Sequence, residues 1–418
     1  MGYTENLIDF IGKSTDCYHA VKTAKDRLDE NGFTELFEGD KWDVQNDGKY
    51  YVIRNSSSII AFEMPKKDFG AFMICASHTD SPSFKLKPDF EINADGCIKL
   101  SVEGYGGMIM SSWLDRPLSI SGRIVTAKNG KVETKLVNIE RDLLVIPSLA
   151  IHMSRDINKG YEFNIRRDMC PIASDKNGRI EDIIAENVGV DKEEILGFDL
   201  SLYNRMRGTV LGADGEYFSA PRIDDLQCMY STLDGFLNSK SDDNVTVFAA
   251  FDNEEVGSGT KQGAKSSFLR DVLERICNNS ETYKRAVAKS FMLSCDNAHA
   301  VHPNFADKSD GTNRVYMNGG IVIKYNANQR YTTDAVSEAV VKYVCKNTGV
   351  PYQMYANRSD IPGGSTLGNL SNEKVSLNTA DIGLAQLAMH SSYETAGSRD
   401  TEYMVKMIKE FYKTEIVL

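Results

Sequence analysis

Several apolar runs in this chain end abruptly in histidine or acidic residues. The clearest are the runs 71–77, 245–251, 291–295 and 384–389. The first three have the length and the polar borders that predict buried strands rather than helices. Helical patterns lie between and after them, at 266–277 and 334–346. This alternation predicts an α/β fold with a central mixed, mainly parallel sheet flanked by helices.

The middle of the chain has a different texture. The first forty residues read as helical, but from about Phe90 to Val210 short alternating segments are separated by glycine and asparagine. Such a pattern is typical of β-rich structure. We therefore expect a β-rich domain at 89–212, inserted into an α/β domain that 1–88 and 213–418 form together.

Composition and charge argue against several classes of protein. The chain is 41% hydrophobic and 26% charged, like an ordinary globular protein. Its net charge of −11, without a basic cluster, disfavours nucleic acid as a partner. No run approaches the roughly 20 apolar residues of a bilayer span, so a membrane protein is not expected. The N-terminus lacks a secretory signal and the eight cysteines include no C-x-x-C pair, which predicts a cytoplasmic protein.

Motifs for other chemistries are incomplete. The glycine-rich segment 257–266 resembles a phosphate-binding loop, but Ala264 stands where the glycine before lysine is required. The segment 104–107 lacks the third glycine of a dinucleotide-binding fingerprint and lies in the β-rich region. No G-x-S-x-G elbow occurs, so a serine hydrolase has no nucleophile motif.

Histidines and carboxylates gather where the apolar runs end, which is where open α/β sheets bind ligands. Taken alone, His78 and Asp80 could be a solvated loop, and Glu254 and Glu255 a solvated acidic turn before a helix. However, acidic or imidazole groups follow four separate apolar runs, which is difficult to explain by chance. Imidazole and carboxylate ligands suit zinc or a similar divalent ion, and two metals sharing a carboxylate and a water would use them all. The candidates are His78, Asp80, Asp224, Glu254, Glu255, Asp296 and His390.

Longer strings in the chain match a known family in order and in detail. They are SHTDSP (77–82), YGGMIMSSWLDRPL (105–118), PSLAIHMSRDIN (147–158), PRIDDL (221–226), FDNEEVGSGTKQGA (251–264), DNAHAVHPNF (296–305), VIKYNANQRY (322–331) and LAMHSSYE (387–394). Across nearly its full length the chain resembles the aspartyl aminopeptidases, which are co-catalytic zinc exopeptidases. The resemblance implies a zinc-dependent aminopeptidase that removes the N-terminal residue of peptides.

The resemblance also assigns roles to the candidate residues. It implies two zinc ions per subunit, with cobalt or manganese as substitutes. Asp224 would bridge the two ions, Glu254 would be the general base, and Asp80 would orient His78. The implied metal ligands are His78, Asp224, Glu255, Asp296 and His390.

Similarity to the family further implies substrate contacts and an assembly. His152 would reach into the active site of a neighbouring subunit, and Lys324 would face the substrate side chain. The inserted β-rich domain would serve in dimerisation, within a homo-oligomer of twelve subunits. Its partners would be peptides with a free N-terminus.

Two departures from the family pattern bear on substrate choice. Where the family usually reads Leu-Asp-Asn-Leu, this chain has Ile-Asp-Asp-Leu at 223–226, which places an extra charge at Asp225. The late loop 359–366 contains the small residues that would shape the pocket. A preference for N-terminal Asp or Glu is therefore a hypothesis about this pocket. The alternatives are a related zinc amidohydrolase or carboxypeptidase, and a scaffold protein that has lost its metals.

Overall fold

The structure is a computed structural model and describes residues 2–128, 130–277, 279–361, 363–364 and 366–416. The chain forms two compact units. The first contains the residues up to Asp80, Gly208–Met389 and the residues from Glu394 onward, and the second contains Ser81–Arg207 and His390–Tyr393. The predicted domain boundaries around 89–212 stay a prediction, as does the role of that segment in dimerisation.

The first unit is built around a mixed sheet of nine strands among the described residues. Most neighbouring pairs in this sheet are parallel, including all three pairs at its centre. The predicted mixed, mainly parallel sheet is therefore confirmed. In spatial order the strands are Thr34–Glu35, Lys49–Arg54, Ser58–Glu63, Val245–Phe251, Phe72–His78, Phe291–Cys295, Asn378–Gly383, Ile321–Tyr325 and Tyr352–Ala356.

This sheet separates two hydrophobic cores. Along one central strand, Phe72, Ile74 and Ala76 pack in one core. Met73 and Cys75, the residues between them, pack in the other. Successive side chains of a strand point to opposite faces, so a sheet covered on both sides needs continuous apolar strands. Burial on both faces of the sheet therefore explains the uninterrupted apolar runs in the sequence.

Helices cover both faces of the sheet. On the face with Met73 and Cys75 they are Tyr3–Lys13, Cys17–Glu30, Ile223–Leu237, Ala335–Thr348 and Asp400–Phe411. On the opposite face they are Phe268–Ile276, Ser280–Lys289 and Leu367–Ser371. The helices predicted at 266–277 and 334–346 are confirmed. The second begins after Asp334, whose carboxylate accepts the N–H of Ser337 and so caps the first turn.

A second, smaller sheet of the first unit lies next to the helix that begins at Ile223. Among the residues described, its strands contain two to four residues each, which is too few for a periodic pattern in the sequence. The apolar run 384–389 contributes one of these strands and not a strand of the main sheet. In spatial order they are Thr209–Leu211, Tyr217–Ala220, Glu394–Gly397, Ala385–Leu387 and Ala298–His299.

The second unit is dominated by an antiparallel sheet with its own hydrophobic core. Its strands, in spatial order, are Lys131–Asn138, Leu118–Lys128, Ile195–Asn204, Ser83–Ala94, Cys97–Tyr105 and Ile172–Asp175. This sheet accounts for the β-rich pattern of short alternating segments in the middle of the sequence. The helices Ile165–Asp168 and Ile180–Val188 also belong to this unit. Neither unit, over the residues that can be described, has a helix long and apolar enough to cross a membrane.

Candidate metal centre

Three central strands of the first unit end side by side. Val245–Phe251 runs parallel to Phe72–His78, with Phe251 opposite His78. Phe291–Cys295 runs parallel to Phe72–His78 on its other side. Because the carboxyl ends of parallel strands meet at one edge of a sheet, the residues that follow these strands lie close together.

His78 is the last residue of its strand, and its side chain is 1% exposed. Its Nδ1 lies 3.0 Å from the backbone carbonyl oxygen of Asp80. Because a carbonyl can only accept, Nδ1 is a donor, and Nε2 is the ring nitrogen that becomes a metal ligand when a bound cation replaces its proton. Nε2 lies 3.3 Å from Oδ1 of Asp224. The imidazole thus presents its ligand nitrogen to a carboxylate, an arrangement that suits a shared cation.

The side chain of Asp80 organises the turn that carries both glutamates. Its Oδ1 accepts the N–H of Glu254 at 3.1 Å, and its Oδ2 accepts the N–H of Glu255 at 3.2 Å. Asn253, just before them, has a φ of 64°, in the left-handed region that asparagine tolerates better than most residues. The short 3-10 helix Glu254–Val256 follows. Asp80 therefore fixes the backbone from which both glutamate side chains project.

Glu254 and Glu255 lie in a crowded electrostatic environment. Burial and nearby carboxylates raise the pKa of Glu254 to about 8, against the opposing charge of His78. Burial and the charge of Asp224 raise the pKa of Glu255 as well. Ligand atoms of Glu254, Glu255 and His78 all lie within 4.8 Å of one another. Carboxylates this close resist joint ionisation unless a cation compensates their charge.

Asp224 and Asp225 lie at the start of the helix Ile223–Leu237, where their backbone angles are not helical. The peptide bond between them is cis. Asp224 approaches the ring of His78, whereas Oδ2 of Asp225 accepts the backbone N–H of His78 at 3.1 Å. The N–H of Asp224 is donated to Oε2 of Glu394 at 3.0 Å. Both acids are buried, and both contact His78.

Asp296 directly follows the strand Phe291–Cys295. Its N–H donates to the carbonyl of Ile382 at 3.0 Å on the neighbouring strand. A Cβ atom at Gly383 would lie 1.9 Å from the carbonyl oxygen of Asp296, so only glycine permits this approach. Ligand atoms within 4.8 Å of one another belong to His78, Asp224, Asp225 and Asp296.

Lys324 lies in the strand Ile321–Tyr325 and is 3% exposed. Its Nζ donates to the carbonyl of Asn297 at 2.8 Å and lies 3.5 Å from Oδ1 of Asp296. Burial alone would favour the neutral amine, but the charge of Asp296 holds the pKa of Lys324 above its ordinary value. The ammonium is therefore the counter-ion of Asp296. Its predicted contact with the substrate stays a prediction.

The residues of the first unit fit a site for divalent metal ions. Five carboxylates and one imidazole are brought together at one sheet edge, and the ammonium of Lys324 lies beside one of the carboxylates, Asp296. Hard carboxylate oxygens combined with an imidazole nitrogen are typical ligands of zinc, manganese and cobalt. Burial, together with the charge of neighbouring carboxylates, raises the pKa of Glu254, Glu255 and Asp225, and a bound cation would offset both effects. The donor set and its electrostatics thus agree with a metal centre.

The remaining predicted residues belong to the second unit. His390 opens the segment His390–Tyr393, has a φ of 65°, and its carbonyl accepts the N–H of Ile109 at 3.0 Å. Its role as the last metal ligand stays a prediction. His152 is exposed in a turn, between Ile151 and Met153. Its predicted role in a neighbouring subunit also stays a prediction.

Some residues at the site escaped the sequence reasoning. The sequence pattern predicts Asp225 only as an extra charge, although two adjacent acids before a helical pattern are a visible signal. Glu394 and Gly383 carry no local signal, because their contacts join residues far apart in the chain. In the late loop 359–366, which is predicted to shape the pocket, Pro362 and Ser365 lie outside the described residues.

Comparisons with known proteins point to one family. The family profile described as "Aminopeptidase I zinc metalloprotease (M18)" matches residues 10–412. A probable M18 family aminopeptidase 2 of Clostridium acetobutylicum is 45% identical, over 98% of both chains. A probable M18 family aminopeptidase 2 of Pseudomonas aeruginosa is 37% identical, over 98% of this chain and 97% of the relative.

Solved structures are similar over almost the whole chain. The cryo-EM structure of the Ape4 and Nbr1 complex contains a chain with a TM-score of 0.95 and 34% identity, covering 98% of this chain and 85% of that one. The S. cerevisiae mApe1 dodecamer gives a TM-score of 0.85 and 28% identity, covering 98% of this chain and 96% of that one. With the profile and the relatives, they show that this chain belongs to the M18 family of aminopeptidases, which are zinc metalloproteases.

Proposed function

We propose that this aminopeptidase works with two zinc ions bound at the edge of the main sheet. The observation that supports this most is the cluster in which His78 Nε2 lies 3.3 Å from Oδ1 of Asp224, with Asp296 close by. Asp224 would help to hold both ions, as the resemblance to the family implies, and its Oδ1 lies beside the imidazole of His78. The proposed ligands are His78, Asp224, Glu255, Asp296 and His390.

Glu254 is the proposed general base. Bound zinc would lower the pKa of a water molecule from about 15.7 towards 7 and would polarise the scissile carbonyl. Glu254 takes the proton of the attacking water and passes it to the departing amine. Its position depends on Asp80, whose carboxylate accepts the N–H groups of Glu254 and Glu255. Asp80 therefore acts on the base as well as on His78.

The substrate is a peptide with a free N-terminus, and we extend the proposal to N-terminal Asp and Glu. Lys324 supports this choice, because it is the one cation whose contact with the cluster is seen in the described part of the chain. A competing candidate is a preference for neutral residues. This candidate is favoured because the Lys324 ammonium already contacts Asp296 and the carbonyl of Asn297, so it is less available to bind an acidic substrate side chain.

The test is a panel of chromogenic substrates carrying N-terminal Asp, Glu, Leu or Lys, each assayed with added zinc, cobalt or manganese. Rapid release from Asp and Glu substrates supports the acidic preference, and rapid release from Leu alone refutes it. An N-acylated copy of the best substrate is the matched control. Cleavage of the acylated copy and not of the free amine would favour a related zinc amidohydrolase. Metal analysis without zinc, cobalt or manganese would favour a scaffold protein.

A homo-oligomer, with twelve subunits as in the S. cerevisiae mApe1 dodecamer, is part of the proposal. The segment around His152 is notably apolar for an exposed turn. Leu149 is 54% exposed, Ile151 48% and Met153 76%. Exposed apolar residues grouped in this way are typical of protein interfaces. Light scattering tests this part, because a monomeric mass would exclude His152 from acting in a neighbouring subunit.

A cytoplasmic location completes the proposal. The thiols of Cys75, Cys228 and Cys295 are buried, and burial raises the pKa of each. Buried neutral thiols without C-x-x-C spacing are typical of reducing compartments. Fractionation of cells with an antibody to the native protein tests the location.

A further inference from the structure

Beside the metal centre lies a group of buried polar side chains that the proposed chemistry does not use. None of its members is more than 2% exposed. Buried polar groups are costly unless their hydrogen bonds are satisfied, so a cluster of this kind requires an explanation. We call it the Asn297 network, and it consists of Gln227, Asn297, Gln386 and Glu394.

The hydrogen bonds of the Asn297 network form a continuous chain that ends at Asp224. The Nδ2 group of Asn297 donates to Oε1 of Gln227 at 3.0 Å and to Oε1 of Gln386. The Nε2 group of Gln386 then donates to Oε1 of Glu394 at 3.2 Å. The other oxygen of Glu394 accepts the backbone N–H of Asp224 at 3.0 Å. Each of these donor groups thus meets an acceptor.

The opposite end of the network reaches Asp296. Asn297 is the next residue, and its carbonyl accepts the Nζ group of Lys324 at 2.8 Å. The same Nζ lies 3.5 Å from Oδ1 of Asp296. The network therefore connects two carboxylates that come from different elements, Asp224 from a helix start and Asp296 from a strand end.

Asp224 and Asp296 carry like charges, and their ligand atoms lie within 4.8 Å of each other. Without support, repulsion would push them apart whenever a metal ion is absent. Glu394 opposes this movement because its carboxylate accepts the backbone N–H of Asp224 and so fixes the backbone from which the Asp224 side chain projects. Such outer contacts typically contribute a factor of about 10 to 100 in metal affinity.

We infer that Glu394 is a positioning residue, which fixes Asp224 relative to Asp296 through the Asn297 network and thereby sets the affinity of the metal pair. This inference rests on the proposed function, because it takes Asp224 and Asp296 to be metal ligands. Glu394 touches neither the reacting atoms nor the metal in this role. Its effect is transmitted through the backbone of Asp224.

The test is a zinc titration of the metal-free protein by calorimetry, with three variants. Glu394→Gln keeps the shape, but the new amide nitrogen must face either the N–H of Asp224 or the Nε2 group of Gln386. One hydrogen bond is then lost. We expect zinc binding to weaken by at least about 10-fold. The absorption spectrum of the cobalt-loaded variant should also change, because it reports the coordination geometry.

The double variant Glu394→Gln/Gln386→Glu is the sharper experiment. The amide at position 394 can now accept from Asp224 and donate to the carboxylate at position 386, which still accepts from Asn297. The net charge is that of the wild-type protein, and the hydrogen bonds from Asn297 to Asp224 are restored, with donor and acceptor exchanged between positions 386 and 394. We expect zinc affinity to return to within a few-fold of the wild-type protein. If Glu394→Gln alone does not fold, the double variant must still fold and bind zinc.

Asp16→Asn is the matched control for a merely structural carboxylate. The side chain of Asp16 is 8% exposed and accepts the N–H groups of Tyr18 and His19 at the start of the helix Cys17–Glu30. Neither of these two residues is a proposed metal ligand. Its substitution should lower the melting temperature and leave zinc affinity unchanged. The inference would be overturned if Glu394→Gln bound zinc with wild-type affinity. It would also be overturned if the double variant folded but bound zinc no better than Glu394→Gln. Either result would leave the proposed function intact. A wild-type protein that binds no zinc would overturn the proposed function itself.

Discussion

Nδ1 of His78 lies 3.0 Å from the backbone carbonyl oxygen of Asp80 and 3.5 Å from its carboxylate Oδ1. Asp80 thus holds the imidazole mainly through its backbone. Its carboxylate accepts the N–H groups of Glu254 and Glu255. One residue therefore positions both the proposed ligand His78 and the proposed base Glu254, and it does so with different atoms. Substitution can separate the two tasks.

Asp80→Asn should reduce turnover and leave the metal in place. The amide can accept only one of the two N–H groups that the carboxylate accepts, so the turn with Glu254 loosens. The carbonyl that contacts His78 is unchanged. We expect kcat to fall by about 10- to 100-fold, the range typical of outer contacts, with wild-type zinc content by atomic absorption. Zinc loss as complete as in His78→Ala would show that the carboxylate is what holds the imidazole.

Glu254→Gln should retain its bound zinc and lose most activity. The amide keeps the shape of the side chain but cannot take a proton from water. A general base contributes about 10²- to 10⁴-fold, and kcat should fall by that factor while zinc content is preserved. Glu281→Gln, on the first turn of the helix Ser280–Lys289, is the matched control and should be fully active. Full turnover by Glu254→Gln would exclude this residue as the base.

Removal of metal should destabilise the protein as well as inactivate it. Ions that bind only the folded state stabilise it by about 2.7 kcal/mol at 100 times their dissociation constant. Without them, the carboxylates around His78 repel one another. We expect a chelator to lower the melting temperature and zinc to restore it, measured by calorimetry. Asp224→Asn should show a much smaller shift, and an equal shift in that variant would place the stabilising ions elsewhere.

The sequence predicted those parts of the fold that repeat a pattern over many residues. Continuous apolar runs identified the central strands, because burial on both faces demands them. Helix positions followed from periodicity with errors of about two residues at the ends. The small sheet with Ala385–Leu387 was not predicted, since strands of two to four residues carry no measurable period.

The sequence predicts that candidate ligands gather where strands end, and the structure brings such residues together. His78 is the last residue of one strand, and Asp296 directly follows another. Their role as ligands stays a prediction. The Asn297 network was not predicted, because its bonds join residues as far apart as Asp224 and Glu394, 170 positions away. Gly383 is a similar case. A side chain at this position would clash with the carbonyl of Asp296, which directly follows the neighbouring strand. Contacts of this kind depend on the assembled sheet and leave no local signal.

Asp400 gives the fold a dependence on pH that is separate from the metal centre. Its buried carboxyl accepts the N–H of Asn318 at 2.6 Å and that of Gly320 at 2.9 Å. Burial outweighs these bonds and raises the pKa of Asp400 to about 7. In the unfolded chain the group ionises near pH 3.9. Folding therefore takes up a proton between about pH 4 and 7.

The stability contributed by this group is thus fully present below about pH 4 and is lost as the pH rises towards 7. The slope is at most about 1.4 kcal/mol per pH unit. Asp400→Asn cannot ionise, so its melting temperature should fall less than that of the wild-type protein between pH 5 and 7.5, with zinc saturating both. Asp9→Asn, at an exposed position, should follow the wild-type curve. Parallel curves for Asp400→Asn and the wild-type protein would mean that Asp400 is already ionised at pH 5, and that its two N–H bonds outweigh its burial.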